Sequence, residues 1–387
     1  MALKRKIAVV MELDWPYKRH YEIFAGIEQY AAEQGDWELH LGNFPQLELS
    51  RGTKYDGVVG RISKNCMTAA NKAKVPLVNV WNDSPVAMQV PGVLIDFKTA
   101  GRMAAEHLVI RGLKRLAQIG FINSTVTARH YEGIQEIANE HDLPCEQLLV
   151  RRDFAEKEKY WEEFVSDIND IKKRWQRPIG VGFSNDELAH ATQSLFIHSG
   201  WRIPEDLAII GVANEPFCKA ATPSISSIDM SDRRCGYEAA QLLDQIMAGV
   251  KPPKDNIYIP PRELVLRQSS DSYAVDDHAT LTALRFMAQN LGQRISVSDI
   301  AAAAGIGRQA LERRFRIHLK RTVNDELIRL RVSKMKRLLV DNDQTVGEIS
   351  DLVGFGTTAN MHVMFKRLTG VSPITYREKH TVQKSTL

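Results

Sequence analysis

The chain has 387 residues, 44% apolar and 25% charged, with a net charge of +4. This is ordinary globular composition for two or three domains, and it excludes disordered, collagenous and disulfide-stapled classes. The charge is unevenly shared: residues 278–387 hold 18 Lys+Arg against 9 Asp+Glu, while residues 1–277 hold 33 against 38. A basic C-terminal module on a mildly acidic body points to a polyanionic partner for that module alone. A solvated basic surface is the plainer alternative.

The four cysteines, Cys66, Cys145, Cys218 and Cys235, stand at no CxxC or Cys/His metal spacing. Neither a disulfide framework, nor a metal site, nor a cofactor is expected. The apolar opening Ile7–Met11 meets Glu12 and Asp14 at once, which is too short for a secretory signal. No run of about 18 apolar residues occurs. The expected location is the cytoplasm, with no membrane partner.

In chain order, Ile7–Met11 reads as a buried strand, and a helix-period stretch follows over 19–33 with Ile23, Ile27 and Tyr30 on one face. WELHLG (37–42), YDGVVGRI (55–62), VPLVNVW (75–81) and VLIDF (93–97) are strand-like, with a short helix near 64–73 and another running to Arg111. The second half repeats the style. LKRLAQIGF (113–121), LLVRRDF (148–154), IGVGFSND (179–186) and LAIIGVAN (207–214) alternate with helices over about 128–141, 157–175 and up to His198. A helix over about 232–247 and the strand-like IYIPP and ELVLRQ close this region. The pattern predicts a two-lobed α/β unit built on two parallel sheets with helices on both faces.

SSDSYAVDDH (269–278) is polar and acidic and reads as a linker. The resulting division is a sensing and dimerisation domain over 1–270, a linker over 271–280 and an all-α domain over 281–387. Within the last, VSDIAAAAGIGRQALERRF (297–315) has the small residue and turn glycine of a helix-turn-helix, Ala301 and Gly305. Ile306, Leu311 and Phe315 point inward, which leaves Arg308, Gln309, Glu312 and Arg313 outside. VGEISDLVGFGTTANMHVMFKR (346–367) repeats the scheme, with Thr345 as cap, Ser350 small and Gly354 at the turn. Phe355, Met361 and Phe365 face inward there, and Thr357, Thr358, His362 and Lys366 lie outside. The basic amphipathic stretch Val323–Leu339 joins the two units. Two such second helices on one basic module fit successive major grooves of double-stranded DNA.

The stretch from about 283 to 380 resembles the AraC-type DNA-binding domain, carried by GFGTTANMHVMFKRLTGVSPITYR (354–377). Asn360, Met361 and Val363 depart from that family's pattern, which bears on base preference rather than fold. The first 270 residues resemble the LacI-type, periplasmic-binding-protein-like sensor domain. The carriers are IAVVMELDWPYKRHYEIFAGIEQYA (7–31), DFKTAGRMAAEHLVIRGLKRLAQIGF (96–121), GVGFSNDELAHATQSLFIHSGWRIPEDLAIIGVANEP (180–216) and TPSISSIDMSDRRCGYEAAQLL (222–243). The order of the two domains resembles that of regulators of xylose genes. The resemblance implies a homodimer, an operator site on DNA, a sugar effector between the lobes and, for an activator, contact with RNA polymerase. It carries Asp96, Asn185 and Asn214 over as ligand-binding residues, with Arg129 a weaker candidate because His130 holds the family's arginine position. Trp15 and Arg19 of the first loop join them, an aromatic to stack on a sugar face and a guanidinium to grip hydroxyls. Asp96 equally fits a helix cap, and Asn185 and Asn214 equally fit turn positions. After Gly211-Val212, Ala213 stands where the family has an aspartate that accepts sugar hydroxyls.

No P-loop, GxSxG elbow, HExxH or dinucleotide fingerprint is present, so no enzyme is expected. The leading expectation is a transcription regulator of carbohydrate genes controlled by a small molecule. The alternatives are a regulator whose N-terminal domain has lost sugar binding and serves dimerisation, and a sugar-binding protein with a basic tail.

Overall fold

The computed structural model describes residues 4–13, 17–42, 48–49, 51–151, 157–271, 277–341 and 344–380. The chain divides into two compact units, 1–272 and 273–387.

In chain order the first unit reads β1 (Arg5–Val10), α1 (Lys18–Gln34), β2 (Trp37–Leu41), β3 (Gly57–Gly60), α2 (Lys64–Ala73), β4 (Leu77–Asn79) and β5 (Val93–Ile95). It continues with α3 (Phe97–Ile110), β6 (Leu116–Phe121), α4 (Thr125–Glu140), β7 (Cys145–Val150), α5 (Lys157–Arg174), β8 (Ile179–Phe183) and α6 (Asp186–His198). It closes with β9 (Leu207–Val212), α7 (Phe217–Ala220), β10 (Ser226–Asp229), α8 (Asp232–Met247), β11 (Ile257–Ile259), β12 (Glu263–Val265) and a single 3-10 turn, Gln268–Ser270.

The apolar runs become buried parallel strands, as expected for strands covered on both faces. The first lobe holds the order β2-β1-β3-β4, and a bridge between Asn79 and Gly92 carries it on to the parallel pair β5 and β11. The second lobe holds β12-β10-β9-β8-β6-β7. The two parallel sheets are those expected, with β12 added antiparallel to β10 at one edge. The strand-like reading of 148–154 ends at Val150; residues 152–156 lie outside the described residues.

Each lobe has one helix pair that crosses at a glycine of both partners. A Cβ on Gly26 of α1 would lie 1.9 Å from the carbonyl oxygen of Arg233, and one on Gly236 of α8 would lie 1.9 Å from that of Ile23. Gly101 of α3 and Gly133 of α4 repeat the device against His130 and Lys98 at 2.0 Å each. The chain passes between the lobes at Asp96, at Met230–Ser231 and at Pro260–Pro261. These passages are tied to each other: Asp96 N donates to Ile259 O at 2.9 Å, Arg262 N to Asp229 O at 2.8 Å, and Ser231 Oγ to Pro260 O at 2.8 Å.

The linker reading of 269–278 is too wide at both ends. Ser269 and Ser270 are fully buried in the first unit, where Ser269 Oγ donates to Ile209 O and Ser270 Oγ to Ser226 Oγ. Asp277 already caps the next helix, accepting from Thr280 N. Residues 272–276 lie outside the described residues.

The second unit is helical: α9 (His278–Gln289), α10 (Val297–Ala303), α11 (Arg308–Leu319), α12 (Val323–Asp341), α13 (Val346–Leu352), α14 (Thr358–Thr369) and α15 (Pro373–His380). It has two small cores, and α12 serves both. Val323, Leu327 and Leu330 join Met287, Ile300, Leu311 and Phe315 in the first. Ile328, Val332, Met335 and Leu339 join Ile349, Phe355, Met361 and Phe365 in the second. One basic helix therefore holds two helix-turn-helix units by its two apolar faces.

Candidate ligand cleft and nucleic-acid interface

Open α/β sheets present their strand C-termini to ligands, because strands end and helices begin there. In the first unit a partly open cleft of about 140 Å³ sits at that place between the lobes. At about 30 Å³ per liquid water, this is room for a single small ring.

The first lobe contributes two guanidiniums backed by aromatic rings. Arg61, just past β3, lies over the Trp81 ring at 4.6 Å and pairs with Glu12. Arg19 of α1 lies over the Phe97 ring at 5.8 Å and stands 4.0 Å from Asp232. The second lobe contributes carboxylates and a hydroxyl. Ser184, Asn185, Asp186 and Glu187 follow β8, and Glu215 follows β9. The buried Ser184 Oγ has no hydrogen-bond partner. A buried hydroxyl without a partner costs free energy, so its place on the cleft wall suits a polar ligand atom.

Burial pushes the carboxyl of Asp186 up to about 7 and that of Asp232 up to about 6. Glu215 is shifted upward for the same reason, its backbone bond from Lys18 and that residue's charge opposing. Several contacts cross from lobe to lobe. Tyr17 OH donates to Glu187 at 3.2 Å, Lys18 N to Glu215 at 3.2 Å, and Lys18 Nζ reaches Asp229 at 3.3 Å. Asp83 accepts from Ser124 Oγ at 3.0 Å and from Val126 N at 3.1 Å at the start of α4.

Of the expected ligand-binding residues, Arg19 and Asn185 line the cleft. Asn185 is also the N-cap of α6, accepting from Leu188 N. Trp15 lies outside the described residues. Three expectations are corrected. Asp96 is an N-cap whose two oxygens are taken by Thr99 N and Thr99 Oγ1. Arg129 is 44% exposed and pairs with Glu132, while His130 is fully buried with its pKa pressed down to about 3. Asn214 is used by the scaffold, donating to Asp229 at 2.7 Å and accepting from Arg267 at 2.5 Å. Ala213 and Asn214 both have positive φ, +107° and +52°. Such a turn costs about 1–2 kcal/mol per non-glycine residue, and it aims Glu215 into the cleft two places beyond the missing aspartate. The residues missed, Arg61, Trp81, Asp83 and Ser184, each follow a strand ending, a signal present in the sequence but outweighed by family positions.

In the second unit both helix-turn-helix units carry the same local chemistry. Ser296 and Asp299 form a capping box at α10, and Thr345 and Glu348 form one at α13. Gly305 and Gly354 turn at φ +69° and +73°. Leu311, Phe315, Phe355, Met361 and Phe365 are buried as expected, and Ile306 is half-buried. Arg308, Gln309, Arg313, Thr357, Thr358 and Lys366 are exposed, and His362 is half-exposed. Glu312 is half-buried and accepts from Val323 N at 3.4 Å, and the Thr357 side chain caps α14, so neither is wholly free for an outside partner. Arg316, which the sequence reading did not single out, shares the exposed face of α11 with Arg308 and Arg313. The exposed face of α14 has fewer donors, with Val363 62% exposed in its centre.

A bond from Arg294 ties the two units directly, and α12 itself adds bonds from Arg331 and Lys334. Arg294 Nη2 donates to Gly356 O at 3.1 Å, Arg331 Nη2 to Gln293 O at 2.8 Å, and Lys334 Nζ to Leu352 O at 3.2 Å. The loop after α9 thus rests on the turn of the second unit.

Family models match in two places: a periplasmic binding protein-like domain over residues 105–270 and a helix-turn-helix domain over residues 300–379. The chain joins a periplasmic-binding-protein-like domain to a helix-turn-helix domain. Its similarity to known proteins runs through both. It is 24% identical to the xylose operon regulatory protein of Escherichia coli (strain K12), covering 97% of each chain. It is 22% identical to the xylose operon regulatory protein of Haemophilus influenzae, covering 96% of this chain and 98% of that one. A solved structure of the xylose-binding transcription activator xylR aligns at a TM-score of 0.61 with 21% identity, over 98% of this chain and all of that one. The similarity to these proteins spans both domains, in the same order. No helix among the described residues is long and apolar enough to cross a membrane.

Proposed function

We propose that the protein is a sequence-specific transcription regulator of carbohydrate genes, reading DNA with α11 and α14 and controlled by a small sugar-like molecule in the interlobe cleft. The observation that carries the reading is the locked pair of helix-turn-helix units on the basic domain. Two exposed helices held at fixed spacing meet two turns of one groove only if the spacing is fixed. Arg308, Gln309 and Arg313 supply base-edge donors, with Lys366 and the helix N-termini on phosphates.

The cleft supports control by a ligand rather than a sensor domain reduced to dimerisation. A collapsed module needs no cleft lined by two aromatic-backed guanidiniums and several carboxylates, with a buried Ser184 hydroxyl unpartnered in that lining. Ligand that favours one lobe arrangement shifts the population of DNA-competent molecules by its difference in affinity. The reading includes a cytoplasmic homodimer, contact with RNA polymerase if the protein activates, and no enzymatic step.

The test is fluorescence anisotropy on duplex DNA across a salt series, with and without a monosaccharide panel. Expected are a steep fall of affinity with salt, with a slope near 0.9 per phosphate contact, and a change of affinity with at least one sugar. Salt-insensitive or absent DNA association would exclude the proposal.

A further inference from the structure

The two walls of the cleft differ in charge. The first lobe brings Arg19 and Arg61 with one carboxylate, Asp83, and the second brings Asp186, Glu187 and Glu215, with Asp232 entering from the passage between them. Arg61 is matched by Glu12, and Arg19 is the one guanidinium placed against Asp232. Asp186 Oδ2 accepts from the backbone N of Glu215 at 2.8 Å, and the Glu215 carboxylate itself accepts from Lys18 N of the first lobe at 3.2 Å. Glu187 raises the charge further at the same corner.

That corner is also where the turn through Ala213 and Asn214 delivers Glu215, and where Ser184 Oγ waits without a partner. Lys18 and Arg19 act on Glu215, yet the carboxyls outnumber the cations at this corner, and such an excess is relieved either by taking up a proton or by receiving a positive group. Burial has already moved Asp186 and Glu215 toward the protonated form. An anionic ligand would worsen the imbalance. A ligand with one ammonium would correct it, while its hydroxyls meet the guanidiniums and its apolar face meets Trp81 or Phe97.

We infer that the cleft takes an amino sugar, a small polyhydroxylated ring bearing one ammonium, and that Glu215 beside Asp186 receives that ammonium. The inference rests on the sensor reading above and narrows it. Glu215 is then a specificity-determining residue, delivered to the cleft by the positive-φ turn through Ala213 and Asn214.

The test uses the full-length protein near neutral pH, by thermal shift and titration calorimetry. The probes are D-glucosamine and D-galactosamine, their neutral parents D-glucose and D-galactose, N-acetyl-D-glucosamine, D-xylose and D-glucuronate. A charge-assisted hydrogen bond predicts that an amine binds about ten-fold or more tighter than its neutral parent, with D-glucuronate silent. Glu215→Gln should collapse the preference, read as the ratio of amine to neutral-parent affinity, in a variant whose circular dichroism shows it folded. Glu187→Gln, at the exposed rim, should reduce the preference partly and serves if the first variant does not fold. Neutral sugars binding as tightly as the amines would overturn the inference and leave sugar sensing standing. An unchanged preference in a folded Glu215→Gln variant would overturn the role of Glu215. Silence from every probe would overturn the inference and the sensor reading together.

Discussion

Asp83 of the first lobe accepts hydrogen bonds from Ser124 Oγ and Val126 N of the second, so a carboxylate on one lobe caps a helix on the other. The helix N-terminus offers free N–H groups and a partial positive charge, which makes this contact favourable only when the lobes are closed. It is the clearest closure contact in the sensor, because it stands at the cleft rim and pairs a charge with a dipole.

Asp83→Ala should weaken closure by about 1–3 kcal/mol, the range for losing a charge-assisted bond. Amide hydrogen exchange at the start of α4 should speed up, and the radius of gyration from small-angle scattering should rise. Unchanged exchange at Val126 would contradict the closure role.

The buried carboxyl of Asp186 sets a pH dependence of unusual sign. Its folded pKa of about 7 lies above the ordinary carboxylate value near 3.9, so the folded chain binds the proton more tightly than the unfolded one. The protonated form stabilises at low pH, and that contribution is lost as pH rises toward and through about 7. His130 opposes it below about 6.5, since its folded value near 3 leaves the unfolded chain to take the proton first. Asp186→Asn replaces the carboxyl with an amide that is neutral at all pH. Calorimetry should find the variant's melting temperature relative to wild type highest above about pH 7 and falling steadily toward about pH 5. A gap that does not change with pH would contradict the shift.

The two turn glycines provide a controlled comparison. A Cβ on Gly354 would lie 2.6 Å from Leu291 O and 2.8 Å from Gln293 O, whereas nothing lies within 4 Å of one on Gly305. Gly305→Ala should cost only the left-handed conformation, about 1–2 kcal/mol. Gly354→Ala should cost more and disturb the packing of the α9 loop on the second unit. Denaturant melts of both variants check this, and equal losses would mean that the loop contact does not lock the units.

The capping boxes should contribute equally. Ser296→Ala and Thr345→Ala are each expected to lower stability by about 1 kcal/mol, and the double variant by the sum. Urea midpoints measure it, and a loss at only one site would show that one box is spectator.

The fold was readable in the sequence because two strong periodicities carry it. Apolar runs such as IGVGF and LAIIGV have room only in a covered parallel sheet, and the paired small-residue and glycine positions of 297–315 and 346–367 demand two helical hairpins. The cleft was less readable. Arg19 and Asn185 line it, Asn185 while also capping a helix, but Asp96 and Asn214 bond to the scaffold, because short polar side chains beside a helix start satisfy backbone N–H groups first. Arg61 and Trp81 follow plain strand endings and gain meaning only when the lobes bring them together. Glu215 was hidden because its place in the cleft depends on two positive-φ residues that no periodicity signals.

The central claim is that α11 and α14 read one duplex together. Selection of the full-length protein on a random duplex pool tests it most directly. The account predicts two enriched sequence blocks about one helical turn, roughly 10 base pairs, apart, with the block read by α11 the sharper and lost in Arg308→Ala/Arg313→Ala. A pool with no enriched sequence, or one whose sharp block survives that double substitution, would contradict it.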